Sequence, residues 1–499
     1  MGNFKMDFIS TLEHIATFII SAPVFIFMLL ILLVYIYDVL QKKHSVLRNF
    51  PVIGHFRYLL ERQGEHFRQY FFSGDREEMP FDRSTRSWVY RMSKDDDKSV
   101  AFGSTYYIRR EGSIIFSSAP FAVQVQDSLT TPPIRIGEGY CDFPFEASSL
   151  INISGMSYGS ISKPAVRALS KGARESGCWL STGEGGVSPH HLDGGADLIA
   201  QIGTALYGFR DGDGNFSWSK LEEVAANTSV RAFEVKLSQG AKPGKGGLLP
   251  AAKVTDDIAK IRGIKPHVDS ISPNCHKMAH SIDELLDFVS RVRAATKKPV
   301  GVKTALGGYD FLCDLFSAIN ERGLQSAPDF LVIDGGEGGT GAAPQGLMDH
   351  MSLSIRDSLP RVVDLMNKYD LKKRIVLIAS GKLVTPVDVA WALCMGANFV
   401  NSARGFLFSL GCIQAMRCHT NRCPTGITTH SVRLQRGLVV AEKYVRVANY
   451  VSNMNSEIEQ IAYSCGVKHP RLLNRSHVML VINQTAVPYA ELFPEVLKS

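Results

Sequence analysis

"DFLVIDGGEGGTG", residues 329–341, runs four apolar residues into Asp334 and then sets five glycines in the next seven positions. An unbroken apolar run of this length, ended by glycine, reads as a strand buried on both faces. The glycines after it let the backbone approach a ligand closely. Seven other runs end in the same way: "LINISGMSYG" (150–159), "CWLSTGEGG" (178–186), "RAFEVKLSQG" (231–240), "VDSISP" (268–273), "PVGVKTALGG" (299–308), "RIVLIASGK" (374–382) and "ANFVNSARG" (397–405). Helix-like stretches separate them. Eight strand–helix units predict an α/β chain closed into a (β/α)8 TIM barrel, with a doubly wound open sheet as the alternative. In such a barrel the chemistry gathers in the loops at the C-terminal strand ends, where these glycines and polar residues fall.

The rest of the chain frames the barrel. Nine cysteines, an odd number spread over 499 residues, argue against a disulfide scaffold and for a reducing compartment. Ile15 to Tyr37 form 23 residues without a charge, enough to cross a hydrocarbon core as one helix. Lys42, Lys43, Arg48, Arg57 and Arg62 follow it. Their excess on that side predicts a single-pass protein of the inner (cytoplasmic) membrane with its main body in the cytoplasm. No small-residue cleavage site follows Tyr37, which disfavours a removable signal peptide. The net charge of +7 has its visible source beside this segment, so a nucleic-acid role has little support. The expected domains are a short tail (1–14), a transmembrane helix (15–37), a juxtamembrane connector (38–110), a barrel (111–440) with an inserted cysteine loop (411–427), and a C-terminal helical extension (441–499).

Three late strand-end loops are suited to phosphate: "IDGGEGGTGAAP" (333–344), "ASGK" from Ala379, and "NSARG" from Asn401. Barrels commonly bind phosphate after strands seven and eight, with backbone N–H groups and a helix N-terminus as donors. Lys382 or Arg404 adds charge. No Walker or dinucleotide fingerprint is present, so the phosphate is expected on a mononucleotide, with FMN as the redox candidate.

"CIQAMRCHTNRC" (412–423) sets three cysteines five and then four residues apart, and Pro424 follows. Zinc prefers four ligands with closely paired cysteines, although His419 offers a fourth. A proline after the last cysteine is a feature of ferredoxin-type iron–sulfur runs. Three thiolates suggest a [3Fe–4S] cluster on Cys412, Cys418 and Cys423. Three buried apolar cysteines are the plain alternative, disfavoured by Arg417, His419, Asn421 and Arg422 in the same segment.

Five stretches in order, "SGMSYGSIS" (154–162), "STGEGG" (181–186), "QGAKPGKGGLLPAAKV" (239–254), "GGTGAAP" (338–344) and "CIQAMRCHTNRCPTGI" (412–427), closely resemble the FMN-binding synthase domain of the glutamate synthase family, over roughly residues 115–470. The N-terminal part looks like a membrane-anchored, single-domain branch of that family. The resemblance implies an oxidoreductase that reduces 2-iminoglutarate, formed from 2-oxoglutarate and ammonia, to L-glutamate, with FMN and a [3Fe–4S] cluster. It implies that Gly155, Met156 and Ser157 lie against the flavin and the keto acid. Thr182, Gly183 and Glu184 lie near the flavin, and Gln239 and Lys303 contact its ring. Gly335, Gly336, Gly339, Thr340, Gly381, Lys382, Ala403 and Arg404 belong to the flavin-holding loops. Lys303, Glu184 and Gln239 are the catalytic candidates. A lysine beside the flavin stabilises charge on the reduced ring, and a carboxyl group moves the proton that imine chemistry needs. Ser157, Lys236 and Lys242 are the candidates for binding the dicarboxylate substrate.

Departures from the family pattern matter as well. The large enzymes begin with a glutaminase domain whose counterpart is not expected here. "KTALGGYD" has Gly307, with nothing acidic before Asp310, where an acidic residue associated with ammonia delivery is expected. The amine is therefore expected to be free ammonia, ammonia from a separate glutaminase, or another amine such as methylamine, the last giving N-methylglutamate. No NAD(P)H fingerprint is seen, so an external donor, a ferredoxin or a reductase, is expected. A different imine or keto-acid substrate, or a redox subunit of a membrane complex, are the alternative readings.

Overall fold

The structure, a computed structural model, describes residues 2–494, with the side chains of residues 2–18 and 20 outside the description. Residues up to Ser84 and residues from Thr85 onward form two compact units.

The first unit is helical. Gly2–Leu40 is one continuous helix, so the backbone expected as a short tail before Ile15 is already helical from Gly2. Within the described side chains its apolar window is Ser21–Leu40, 20 residues of mean hydropathy 2.5 and only 6% buried; residues 15–18 and 20 of the expected 15–37 span lie outside the described side chains. Short helices Ser45–Asn49 and Gly54–Phe67 follow, and one wide turn, Arg68–Phe72, extends the latter.

The second unit is the barrel. Its strands are β1 (Ile151–Ile153), β2 (Leu180–Ser181), β3 (Leu198–Ile202), β4 (Val230–Lys236), β5 (Val300–Thr304), β6 (Phe330–Asp334), β7 (Val376–Ser380) and β8 (Phe399–Ser402). Each pairs in parallel with the next, and β8 returns to β1 through Val400 and Ile151, closing the sheet. The open-sheet alternative is thereby excluded. One strand identity differs from expectation. "VDSISP" is no barrel strand: Ser270–Ile271 pairs antiparallel with Leu248–Leu249 in the long connection between β4 and β5. The missing strand is "LIAQI", β3, buried at all five positions. Gln201 interrupts its apolar run, and that broke the sequence signal. Conversely, Ile271 is 70% exposed, so the alternation in "VDSISP" describes a surface ribbon.

Local chemistry starts and stops the connecting helices. Ser162 caps Lys163–Ser176 by accepting from the Ala165 N–H, and Gly177 at φ 67° ends it. Thr385 and Asp388 form a capping box on Pro386–Cys394, which follows β7. The cap keeps that helix start, and the loop ahead of it, in place beside the rim.

The other end of the barrel is plugged. A ribbon of Ile134–Ile136 and Phe145–Ala147 covers it, with Phe145 edge-on to Trp179 at 6.1 Å and Trp179 edge-on to Phe399 at 5.0 Å. Beneath β6 the fully buried Asp329 accepts from Arg293 Nε at 2.9 Å, from Arg374 at 3.0 Å and from the Val300 N–H at 2.8 Å. The segment expected as a C-terminal helical extension is one long helix over Val440–Ser464, beyond which short helical turns at Pro470–Leu472, Arg475–His477 and Tyr489–Leu492 flank a hairpin. Val478–Ile482 and Thr485–Pro488 form a hairpin that also pairs with Ile114–Phe116. Asn483 and Gln484, both at positive φ, make its two-residue turn.

Asp329 lies at the face where barrels keep stability residues. Asp329→Ala leaves two buried guanidinium groups without their shared carboxylate and should cost about 3–5 kcal/mol. Thermal unfolding of the purified full chain measures this, and an unchanged transition would refute the role assigned to the pair.

Candidate functional site

Residues from seven of the eight strand ends line one cavity at the C-terminal rim. Gly155 comes after β1, Lys236 ends β4 and Gln239 follows it, and Lys303 projects from β5. Gly339 follows β6, Gly381 and Lys382 follow β7, and Ala403 and Arg404 follow β8. Gln201, Asp334, Ser380 and Asn401 line it too, and the sequence reading did not single them out. Asp334 had a visible signal, a lone carboxylate directly before the glycines. Gln201 had none, because its strand was missed.

Asp334 organises the rim. Its carboxylate accepts from Ser380 Oγ at 2.7 Å and from the Gly240 N–H at 2.9 Å, and Lys303 Nζ stands 3.9 Å away. Burial works to raise its pKa, but the Lys303 charge and these two hydrogen bonds outweigh it and hold the carboxyl below its ordinary range. Gly240 fits only because it has no side chain: a Cβ there would stand 1.7 Å from the Gly335 carbonyl oxygen. Glu234, one layer deeper and hydrogen-bonded by Gln201 Nε2, is shifted the other way: burial raises it more than Lys303 and Gln201 lower it.

A cationic group adjoins the cavity through Lys236. Its ammonium donates to Glu184 at 3.0 Å and to Gln239 Oε1 at 2.8 Å, and Gln239 Nε2 reaches the Gly339 carbonyl at 3.3 Å. Burial would raise Glu184, but Lys236, Lys242 and Arg262 around it hold it below the usual glutamate value. Glu184 is therefore a fixed anion in the resting protein. Burial lowers the pKa of Lys242, with Glu184 partly restoring it. Arg262 is 4% exposed and was not anticipated. It donates to Ser157 Oγ at 3.2 Å and to the Tyr158 carbonyl at 3.3 Å, while its Nε is buried without a partner.

Of the other candidates, Met156, Ser157, Thr182, Gly183, Gly335, Gly336 and Thr340 do not line the cavity. Met156 and Ser157 are buried in the β1 loop. Gly183, at φ 67°, lies so close to the Ser157 backbone that a Cβ would come within 2.5 Å of its nitrogen. Thr182 Oγ accepts from the Gln201 N–H at 3.1 Å, a tie between strands. The N–H groups of Gly335 and Gly336 are taken by the carbonyls of Ser380 and Leu353, both at 2.8 Å, so these glycines provide room and no donors. Thr340 bonds within its own loop, to Ala342 O at 3.3 Å. Gly381 at φ 134° and Lys382 at φ 55° turn the chain sharply after β7. Arg404 donates to the Glu337 carbonyl at 2.5 Å, and burial brings its pKa down to about 10. Asn401 Oδ1 is buried with no partner. The rim thus offers backbone turns, four cations (Lys236, Lys303, Lys382 and Arg404) and an unsatisfied polar atom where a polar ligand fits.

The three cysteines of the loop sense one another. Burial pushes the Cys412 thiol up to about 12, and charge on Cys418 and Cys423 adds to this. Burial would raise Cys423 as well, but hydrogen bonds from Thr425 and Thr428 bring it below its ordinary value. Lys253, 2% exposed, donates to Ser160 O at 2.7 Å and Cys418 O at 3.2 Å, pinning the cysteine loop to the β1 loop. The Tyr90 hydroxyl donates to the Cys412 carbonyl at 2.5 Å. Among the described residues no three His, Cys, Asp or Glu side chains converge tightly enough to hold a single metal ion. A cluster assigns each thiolate to a different iron, so its ligands stand farther apart than those of one ion.

A closed parallel barrel with a polar, cation-rich rim defines a ligand-binding α/β barrel of the enzyme type. Residues 121–468 match the conserved region in glutamate synthase. The glutamate synthase large subunit-like protein YerD of Bacillus subtilis is 40% identical over 498 residues, covering 92% of this chain and 94% of that protein. The archaeal glutamate synthase [NADPH] of Methanocaldococcus jannaschii is 35% identical over 320 residues, and the archaeal-type enzyme of Thermotoga maritima 31% over 319. Both alignments cover 64% of this chain and 59% of the relative. The chain belongs to the glutamate synthase family.

Because the folded pKa of Glu184 lies below that of the unfolded chain, its pairing adds stability above the ordinary glutamate range and loses it as pH falls through the folded value. The gap in melting temperature between the wild type and Glu184→Gln should be open at pH 7 and narrow below about pH 4. A gap of the same size at pH 3 would show that the carboxylate charge is not its source.

Proposed function

We propose that this glutamate synthase-type oxidoreductase binds FMN at the rim cavity and reduces 2-iminoglutarate to L-glutamate, on a membrane-anchored chain. The observation that carries the reading is the convergence of Lys303, Gln239, Gly381 and Arg404 from four different strand ends on one cavity. The loops after β7 and β8, with Lys382 and Arg404, suit the phosphate, and the unpartnered Asn401 Oδ1 awaits a donor from the ligand. Lys303 and Gln239 would hold the polar edge of the ring. Cys412, Cys418 and Cys423 would hold a [3Fe–4S] cluster: the Thr425 hydroxyl 3.3 Å from Cys423 Sγ suits a thiolate there, and the charge of the irons would offset the burial and mutual repulsion that raise Cys412 and Cys418. Bound there, FMN supplies hydride transfer and the cluster single electrons from an external ferredoxin or reductase.

The protein's own residues prepare the substrate. Lys236, Lys242 and Arg262 set three cations against the one carboxylate of Glu184, a surplus that suits the dianionic keto acid. Arg262, with its unpartnered Nε, suits one substrate carboxylate, and Ser157, which accepts from its guanidinium, holds that group in place. Glu184 stays ionised, so it orients the lysines and draws an incoming ammonium ion. Lys242 holds its proton less firmly than an exposed lysine and is the better proton donor of the group. Ammonia would arrive free or from a separate glutaminase. The apolar helix would anchor the chain in the inner membrane, with the barrel on the cytoplasmic side.

The purified full chain should be yellow-brown, release FMN on denaturation, and reoxidise its reduced flavin when given 2-oxoglutarate with an ammonium salt. Reduced flavin left untouched by that mixture would sink the glutamate reading. Arg262→Met should raise KM for 2-oxoglutarate by about 10–100-fold through loss of a charged hydrogen bond, with the FMN content unchanged. Cys418→Ser should lower bound iron and sulfide while the barrel still folds, as circular dichroism would report.

A further inference from the structure

The helix Gly54–Phe67 has an apolar stripe that no described residue of its own unit covers. Ile53, Phe56, Leu60 and Phe67 follow at spacings of three, four and seven, which puts them on one helical face. They are 71%, 62%, 62% and 45% exposed. The polar face is satisfied within itself: Arg57 donates to Glu61 at 3.1 Å and lies 5.4 Å over the Tyr58 ring.

Two observations say what covers the stripe. The first is position. Asp38, in the last turn of the apolar Ser21–Leu40 window, is fully buried. It accepts from the Val52 N–H at 2.8 Å and pairs with His55 Nε2 at 2.9 Å. The start of the Gly54–Phe67 helix is thereby tied to the point where a membrane span would end. The second is charge. Residues 41–70 hold six Lys or Arg against two Glu. Arg57 and Arg68 both flank the stripe, so two copies packed face to face would bring like charges together, whereas anionic headgroups would meet them.

We infer that the Gly54–Phe67 helix lies in the headgroup layer of an anionic leaflet, with its stripe toward the acyl chains and its arginines among the phosphates. This rests on the membrane-anchor reading above. It adds a second, lateral contact that sets the lipid preference of the protein.

The test uses the full chain reconstituted into vesicles of phosphatidylglycerol and phosphatidylcholine, with bromine at a shallow acyl position. Leu60→Trp and Glu61→Trp place a reporter on the stripe and on the opposite face, both at exposed sites. Emission added by Leu60→Trp should be blue-shifted and strongly quenched, and that added by Glu61→Trp should not. Arg57→Glu with Arg68→Glu, in the Leu60→Trp background, should abolish the quenching, as should vesicles of phosphatidylcholine alone. Unquenched emission at position 60 overturns the proposal: red-shifted, the stripe faces water; blue-shifted, it packs on a second copy or another protein. Alkaline carbonate extraction reads the anchor separately. A chain that is extracted defeats the anchor reading, and a chain that is retained with an unquenched reporter defeats only the lateral contact.

Discussion

The rim depends on Asp334. One carboxylate gathers the β7 hydroxyl of Ser380, the backbone after β4 at Gly240 and the β5 ammonium of Lys303. Three neighbouring strand ends and their loops are fixed by a group that is itself the last residue of β6. A buried charge is tolerable only when its surroundings supply this many donors. The arrangement also requires Gly240 to press against the Gly335 carbonyl, so the loop after β4 and the loop after β6 fit as one surface. Lys236 and Gln239 continue that surface to Glu184. The cavity and the cationic group beside it are therefore one connected network.

Polarity within that network is graded. Glu234, buried lower in the barrel, tends toward its neutral form, whereas Asp334 and Glu184 at the rim are held ionised by nearby cations. The difference comes from neighbours more than from depth. Glu184 faces two lysines and an arginine, while Glu234 has Lys303, which it shares with Asp334, and the neutral Gln201. Ionised groups are thus favoured at the rim, and the charge on Glu234 below it is disfavoured.

Where the fold was legible in the sequence, the cause was burial on both faces. "FLVI", "IVLIA" and "NFV" read as strands because nothing in them faces water. β3 failed that test because Gln201 turns inward to meet Glu234, a polar pairing invisible to hydropathy. "VDSISP" passed a test for alternation that a two-residue surface ribbon also satisfies. At the site, glycine loops and strand-end lysines were readable as residue types, and nine of those candidates share one cavity. Arg262 was unreadable because it lies in a helix between charged neighbours, "DDIAKIR", and only the turn of the chain brings it to Ser157. The backbone bonding of Gly335 and Gly336 was likewise hidden, since a glycine that yields space and one that offers its N–H look the same in a sequence.

The Tyr90 hydroxyl bond to the Cys412 carbonyl bears on how the chain tolerates being shortened. Asn449 and Asn453 hold the same stretch by donating to the carbonyls of Ser93 and Met92. Residues 85–94 are therefore tied both to the loop that carries Cys412 and to the Val440–Ser464 helix. A protease nicking ahead of Thr85 would leave that tie joined to the barrel by the chain itself, whereas a cut past Lys94 would leave it held by non-covalent contacts alone.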